Sequence, residues 1–360
     1  MTSLEALNLR YNPFSDTTPS KGSDRLIWAD MHAVKSKLES SYADCIENDS
    51  KQLILNWGPY GGGKTFSAYY FLNKYAEDAN LCHIYLRCPK DGAKATDELF
   101  KGIIDELSFE FINSHISALI NEKGSEALIK YLTPKAGREY ANAIILLGST
   151  DDDIKNLMNR FMYSGLTKTE LKKLNLPKDI QTDADSIKFL TGLLSCFSID
   201  NGKVVIWLDE MEDLIYFAPK HYKAFSQILR DLTDHVSPGF LIFLNFTMAE
   251  AEETTIELIL GGALWSRITR KIRYTNFTKE NGVSYAKELL NHAKIDQGTV
   301  APIDENVLNL VLDFIANNHL TPREINKHLS SLIGYARTQD ASIIDNAIFD
   351  TWLTEYEEDN

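Results

Sequence analysis

At 360 residues the chain is longer than one compact apolar core ordinarily supports, so two domains, or one domain carrying a large insertion, are expected. A hydrophobic content of 44% with 24% charged residues excludes intrinsic disorder and collagen-like or low-complexity chains. With 37 Lys and Arg against 51 Asp and Glu the net charge is −14, so the molecule as a whole repels nucleic acid and anionic lipid, and DNA contact needs a local basic patch.

In chain order, Leu53 to Trp57 is a short apolar run ending in a glycine-rich turn, and residues 66–76 continue as an aromatic-rich helix. Residues 82–87 read as a second strand. Apolar positions from Asp97 to Ile112 fall at helical spacing. Val204 to Leu208 is a continuous, β-branched-rich run, as a strand buried on both faces requires, and it ends in Asp209-Glu210. A helix at about 220–234, a strand over 240–246 and a last short strand near 271–274 follow. Beyond Phe277 four helices are expected, at about 280–292, 304–316, 322–336 and 342–356, the third opened by Thr321 as cap and Pro322 in the first turn.

Alternating strands and helices with a helical tail predict an α/β fold: a parallel sheet in a three-layer core and a C-terminal helical lid. Between Lys64 and Asp209 the chain has about 85 residues more than the roughly 60 that two strand–helix units take. The expected domains are a core over 1–276, interrupted by a helical insertion over 113–195, and a lid over 277–360. Turn signals divide the insertion at 121–124, at Thr133-Pro134 and at 148–153.

The chemistry concentrates in Gly58-Pro59-Tyr60-Gly61-Gly62-Gly63-Lys64-Thr65, which satisfies GxxxxGK[ST]. Such a loop wraps phosphates with consecutive backbone N–H groups, which demands positive φ and little side-chain bulk. Lys64 is expected on the β- and γ-phosphates of ATP and Thr65 on Mg²⁺, with the helix that continues through Phe66 adding its dipole. Asp209 is placed to hold the metal through water, and Glu210 to orient and deprotonate the attacking water, so the pair predicts hydrolysis rather than binding alone. Asn245 is an amide inside an apolar strand and needs a partner, for which a γ-phosphate or catalytic water is a candidate. Thr247 shares its face and is the alternative. Residues 265–273 hold Arg267, Arg270, Lys271 and Arg273 and no acid, so Arg267 or Arg270 is a candidate to reach ATP on an adjacent subunit. Arg323, a cation at a helix N-terminus where the dipole opposes it, is expected to face the γ-phosphate of its own subunit.

These residues in this order resemble the AAA+ ATPases over about 8–112 and 200–340, in particular the initiator-like branch of origin-recognition ATPases, transposon target-selection ATPases and the secretion ATPase called ExeA. The resemblance implies that Asn12-Pro13-Phe14 lies near the adenine with Phe14 packed on the base. It further implies that Asn245 is sensor 1, Ser266-Arg267 the arginine-finger segment and Pro322-Arg323 the sensor 2 helix. Trp207 to Asp213, with the long insertion before it, is more loosely similar to ATP-binding proteins of BREX-type anti-phage defence loci. Origin-recognition ATPases carry a C-terminal winged helix for DNA, whereas only four helices are expected after Phe277.

Within the insertion, Ser164 to Pro177 has the cadence of a short helix entered through Thr167, a turn and another helix. Lys155, Arg160, Lys168, Lys172, Lys173 and Lys178 face one acid, Glu170, across this stretch, which makes it a candidate DNA contact; a face for an effector protein is the alternative. Cys45, Cys82, Cys88 and Cys196 show no CxxC pair and read as reduced packing thiols. No apolar stretch approaches the ~20 residues a bilayer crossing requires, and the first residues carry no leader pattern, so a cytoplasmic protein without membrane contact is expected. The sequence therefore predicts an Mg²⁺-dependent ATPase, a nucleotide-controlled oligomeric switch forming a ring or filament with ATP at subunit interfaces. Its setting would be a DNA transaction of a mobile element or defence system; a signalling or scaffold subunit that never touches DNA is the alternative.

Overall fold

The computed structural model describes residues 4–16, 19–20, 26–248, 253–298, 301–316 and 319–359. Helix α1 (His32–Asn48) precedes β1 (Lys51–Gly58), α2 (Lys64–Lys74), β2 (Leu81–Arg87) and α3 (Ala95–Leu107). The insertion then supplies α4 (Phe109–Lys123), α5 (Ser125–Leu147), α6 (Asp152–Met162), α7 (Lys168–Lys173) and α8 (Asp183–Cys196). The core resumes with β3 (Lys203–Asp209), α9 (Pro219–His235), β4 (Phe240–Thr247), α10 (Glu253–Trp265) and β5 (Ile268–Arg273). Helices α11 (Lys279–Ala293), α12 (Glu305–Ile315), α13 (Pro322–Thr338) and α14 (Asn346–Asp359) close the chain.

The five strands form one sheet in the order β2-β3-β4-β1-β5, every pair parallel. The central strands are buried on both faces, which is why they read as unbroken apolar runs. Leu53, Leu55, Ile206 and Ile242 face one layer, and Ile54, Trp207 and Phe243 face the other, against α1 and α2. Trp207 stacks on Phe243 at 3.8 Å and donates from Nε1 to Tyr42 Oη at 3.0 Å. Edge strand β5 carries the cations Arg270, Lys271 and Arg273 on its own residues, since it begins earlier than the 271–274 expected; charge on an edge discourages strand addition.

The insertion is not an appended lobe. Ile116, Leu132, Ile144, Phe161, Phe189 and Leu194 belong to the same apolar cluster as the first sheet face and α3. The predicted helix over 97–112 breaks at Ser108, whose φ of +61° ends α3 and whose hydroxyl caps α4. Thr133-Pro134 is not a turn: both lie inside α5, and the bend comes at Gly137, whose φ of +80° costs no Cβ clash. The short helix entered through Thr167 is present, with a reciprocal capping box to Glu170. The lid core also differs from a boundary drawn by position alone, because Leu7, Leu9, Phe14 and Ala29 pack among the side chains of α11 to α14. No described helix is long and apolar enough to cross a membrane.

Candidate functional site

A cleft of about 450 Å³ opens at the carboxyl ends of the parallel strands, between the phosphate-loop pattern and the lid. The loop leaves β1 at Gly58 and enters α2 at Lys64, with Gly61 at φ +73° and Gly63 at φ +98°. At Gly58 a Cβ would stand 2.3 Å from the Tyr274 carbonyl, and at Gly61 it would stand 2.8 Å from Cβ of Arg323. Glycine is thus required where β5 and the lid crowd the loop. Lys64 is 5% exposed, and its ammonium donates to the carbonyls of Gly58 at 2.9 Å and Pro59 at 2.8 Å. Burial lowers its pKa to about 8 against the opposing pull of Glu212 and Asp209.

Register brings the acids to the same place. Asp209, the last residue of β3, accepts on Oδ2 from Thr65 Oγ1 at 2.6 Å and from Tyr85 Oη at 2.8 Å, while Oδ1 accepts from Glu210 N at 3.1 Å. Glu210 follows at φ +57°, a conformation uncommon for a non-glycine residue, and its carboxylate lies 3.7 Å from Arg87 Nε at the end of β2. Glu212 reaches back to accept from Thr247 N at 2.7 Å; burial raises its pKa. Lys64, Thr65, Phe66, Asp209, Glu210, Thr247 and Arg323 all line the cleft, as do Asn12, Pro13, Tyr60, Gly61, Gly62 and Gly63.

Other expected residues fall elsewhere. Phe14 is fully buried in the lid core and is not part of the cleft wall, so it is not placed to stack on a base there; its N–H donates to Asn12 Oδ1 at 3.0 Å, a turn that drives the ring inward. Asn245 is fully buried and accepts on Oδ1 from Asn56 Nδ2 at 2.9 Å, its direct neighbour on β1, while its own Nδ2 and Asn56 Oδ1 have no hydrogen-bond partner among the described residues; Thr247 lines the cleft. Arg267 makes a bidentate pair with Asp234, both contacts at 2.7 Å. Arg270 donates to Lys37 O and Ser41 Oγ and pairs with Asp44, stapling β5 to α1. Neither arginine lines the cleft of its own chain.

Leu26, Ile27, Trp28, Ala29 and Met31 form a further part of the wall that the sequence reading did not mark. Trp28 lies 5.7 Å from the ring of Phe66 and 5.1 Å from Tyr70, and its indole donates to Asp30 O at 2.9 Å. The signal was an apolar run directly before α1 with no helical or strand period of its own. In the insertion, Lys155 pairs with Asp152, Arg160 with Glu170, and Lys178 with Asp185, which leaves Lys168, Lys172 and Lys173 exposed on α7.

A glycine cradle at a helix start, a buried lysine, and a Thr hydroxyl bonded to an aspartate at the end of β3, separated from β1 by β4, define the nucleotide-site architecture of P-loop NTPases. No protein-family model and no curated protein matches the chain. Among solved structures, the ORC2 protein of Aeropyrum pernix (ADPNP–ADP complexes) is similar with a TM-score of 0.54 at 9% identity, over 96% of this chain and 71% of that one. Drosophila ORC bound to DNA gives 0.52 at 9% over 96% and 65%, and the Aeropyrum pernix ORC1 protein in complex with DNA gives 0.50 at 14% over 94% and 69%. The likeness extends to the fold of these ORC proteins.

Proposed function

We propose that this chain is an Mg²⁺-dependent ATPase that works as a nucleotide-controlled oligomeric switch. The observation that carries the reading is the 2.6 Å bond from Thr65 to Asp209 in the same cleft as Lys64, Glu210 and Arg323. The donors fit the groups they would hold: a loop with positive-φ glycines leading into a helix N-terminus suits polyphosphate, and one hydroxyl with one carboxylate suits Mg²⁺, which takes its remaining ligands from water and phosphates. Bound Mg²⁺ would offset phosphate charge. Lys64 would exchange its two loop carbonyls for phosphate oxygens, and Glu210 would orient a water and take its proton, freed for this from Arg87. Thr247, in preference to Asn245, would hold that water or the terminal phosphate.

Arg267 or Arg270 acts in trans in this reading, replacing its carboxylate partner with a neighbour's nucleotide as a ring or filament forms. The similar structures are complexes with ADPNP and ADP or with DNA, and with the exposed lysines of α7 this supports a DNA transaction, in a mobile element or defence locus. The ion pairs that take up half of the 155–178 cations favour the second reading, a scaffold whose insertion binds an effector protein. Light scattering after size exclusion, with a slowly hydrolysed ATP analogue and duplex DNA, separates them. ATP-dependent growth with DNA retention that is lost on reversing Lys168, Lys172 and Lys173 supports the switch on DNA; constant size without retention supports the scaffold.

A further inference from the structure

The phosphate loop carries one large side chain that its chemistry does not demand. Tyr60 stands among glycines with 71% of its surface exposed, where a loop that wraps phosphates through its backbone needs no side chain. Its ring has a partner in the lid: Cζ of Arg323 lies 4.1 Å from the ring centroid. Arg323 takes part in no ion pair among the described residues, in contrast to Arg267 and Arg270. The contact is seated on a close backbone approach. Arg323 N lies 3.4 Å from Gly61 O, and a Cβ on Gly61 would stand 3.0 Å from Thr321 Oγ1 as well as against Cβ of Arg323. Thr321 caps α13 through Glu324 N and Pro322 fixes the first turn, so the stem of Arg323 leaves a rigid helix end. A cation there is opposed by the helix dipole, and an aromatic face offers it compensation without neutralising it.

We propose that Tyr60 is a positioning residue: its ring holds the Arg323 guanidinium at the mouth of the cleft, so that the lid's cation is aimed at the phosphate loop and remains available to an anion bound there. A carboxylate in place of the ring would compete with phosphate for Arg323; an aromatic ring fixes its direction and leaves its charge intact. The proposal rests on the nucleotide reading, and its first test does not. In the nucleotide-free full chain, a double-mutant cycle of Tyr60→Ala and Arg323→Ala in urea unfolding reads the contact itself, with a coupling of about 2–5-fold in the unfolding constant expected for an exposed cation–π pair.

In the second test the same four proteins and Tyr60→Phe are titrated with a fluorescent, slowly hydrolysed ATP analogue. Tyr60→Ala is expected to weaken binding about 2–5-fold when Arg323 is present and to have no further effect in Arg323→Ala, while Tyr60→Phe, which keeps the ring, stays within about 1.5-fold of wild type. Equal weakening in both backgrounds, or failure of the Phe variant to restore affinity, overturns the positioning role. Absence of coupling in the unfolding cycle overturns the contact. A wild-type chain that binds no nucleotide refutes the ATPase reading and with it the role of Tyr60 in binding, leaving the unfolding cycle to judge the Tyr60–Arg323 contact.

Discussion

Two groups of cations in this molecule differ in whether a carboxylate holds them. Lys64 and Arg323, in the cleft, rest on two backbone carbonyls and on an aromatic ring. Arg267, Arg270 and Lys271 near the β5 edge, and Arg160 and Lys178 in the insertion, each pair with a carboxylate, whatever carbonyl or ring they also touch. A carboxylate neutralises its partner and sets a competing anion that any incoming phosphate must displace. A carbonyl or ring holds the cation in place and leaves its charge in force. The contrast distinguishes Lys64 and Arg323 in the cleft, which have no carboxylate partner among the described residues, from Arg267 and Arg270, which must exchange one to meet a phosphate.

The largest expected effect that sharpens this contrast is at Lys64. Lys64→Ala should weaken ATP binding by about 100-fold or more, whereas Arg267→Ala and Arg270→Ala should leave the affinity of the isolated chain within about twofold, read by the same fluorescent titration. If either edge arginine acts in trans, mixing its Ala variant with Glu210→Gln subunits restores turnover at the mixed interfaces. Additive loss in the mixture breaks the assignment.

A pH dependence follows from the depressed pKa of Lys64, about 8. Phosphates favour the charged amine, so binding takes up a proton once the free protein has lost it. Affinity should be flat below pH 8 and fall as pH rises through that value, approaching tenfold per unit until the complex's own higher pKa is reached. A flat profile from pH 7 to 9.5 contradicts the shift.

The smallest effect concerns the buried amides. Asn245→Leu strands the Asn56 amide in the core and should cost about 1–3 kcal/mol in unfolding, while the double change of Asn56 and Asn245 to Leu should recover part of that loss. Thr247→Ala, in contrast, should lower turnover without a comparable loss of stability.

The phosphate loop, the strand ends and the Asp209-Glu210 pair were legible because each is written in contiguous residues: a glycine pattern, and runs that must be apolar throughout when a parallel strand is covered on both faces. What escaped depends on register or on distant packing. Asn245 meets Asn56 only because β1 and β4 pair in that register. Phe14 turns into the lid because α11 to α13 build an apolar core beside it. The six cations of 155–178 looked basic because Asp152 and Asp185 lie just outside that window, yet are close enough to pair with Lys155 and Lys178. Pro134 is a strong local turn signal that was overridden by the packing of α5 against α4 and α8, the bend falling at Gly137 where no Cβ resists it.

The central claim, hydrolysis of ATP in this cleft, is tested most directly by phosphate release and equilibrium binding measured side by side on the wild-type chain and Glu210→Gln with Mg²⁺ and ATP. The prediction is binding within about threefold of wild type together with turnover reduced by about 100-fold or more, the scale of losing a general base. A variant that releases phosphate at the wild-type rate, or a wild-type chain that binds ATP and releases none in any assembly state, contradicts it.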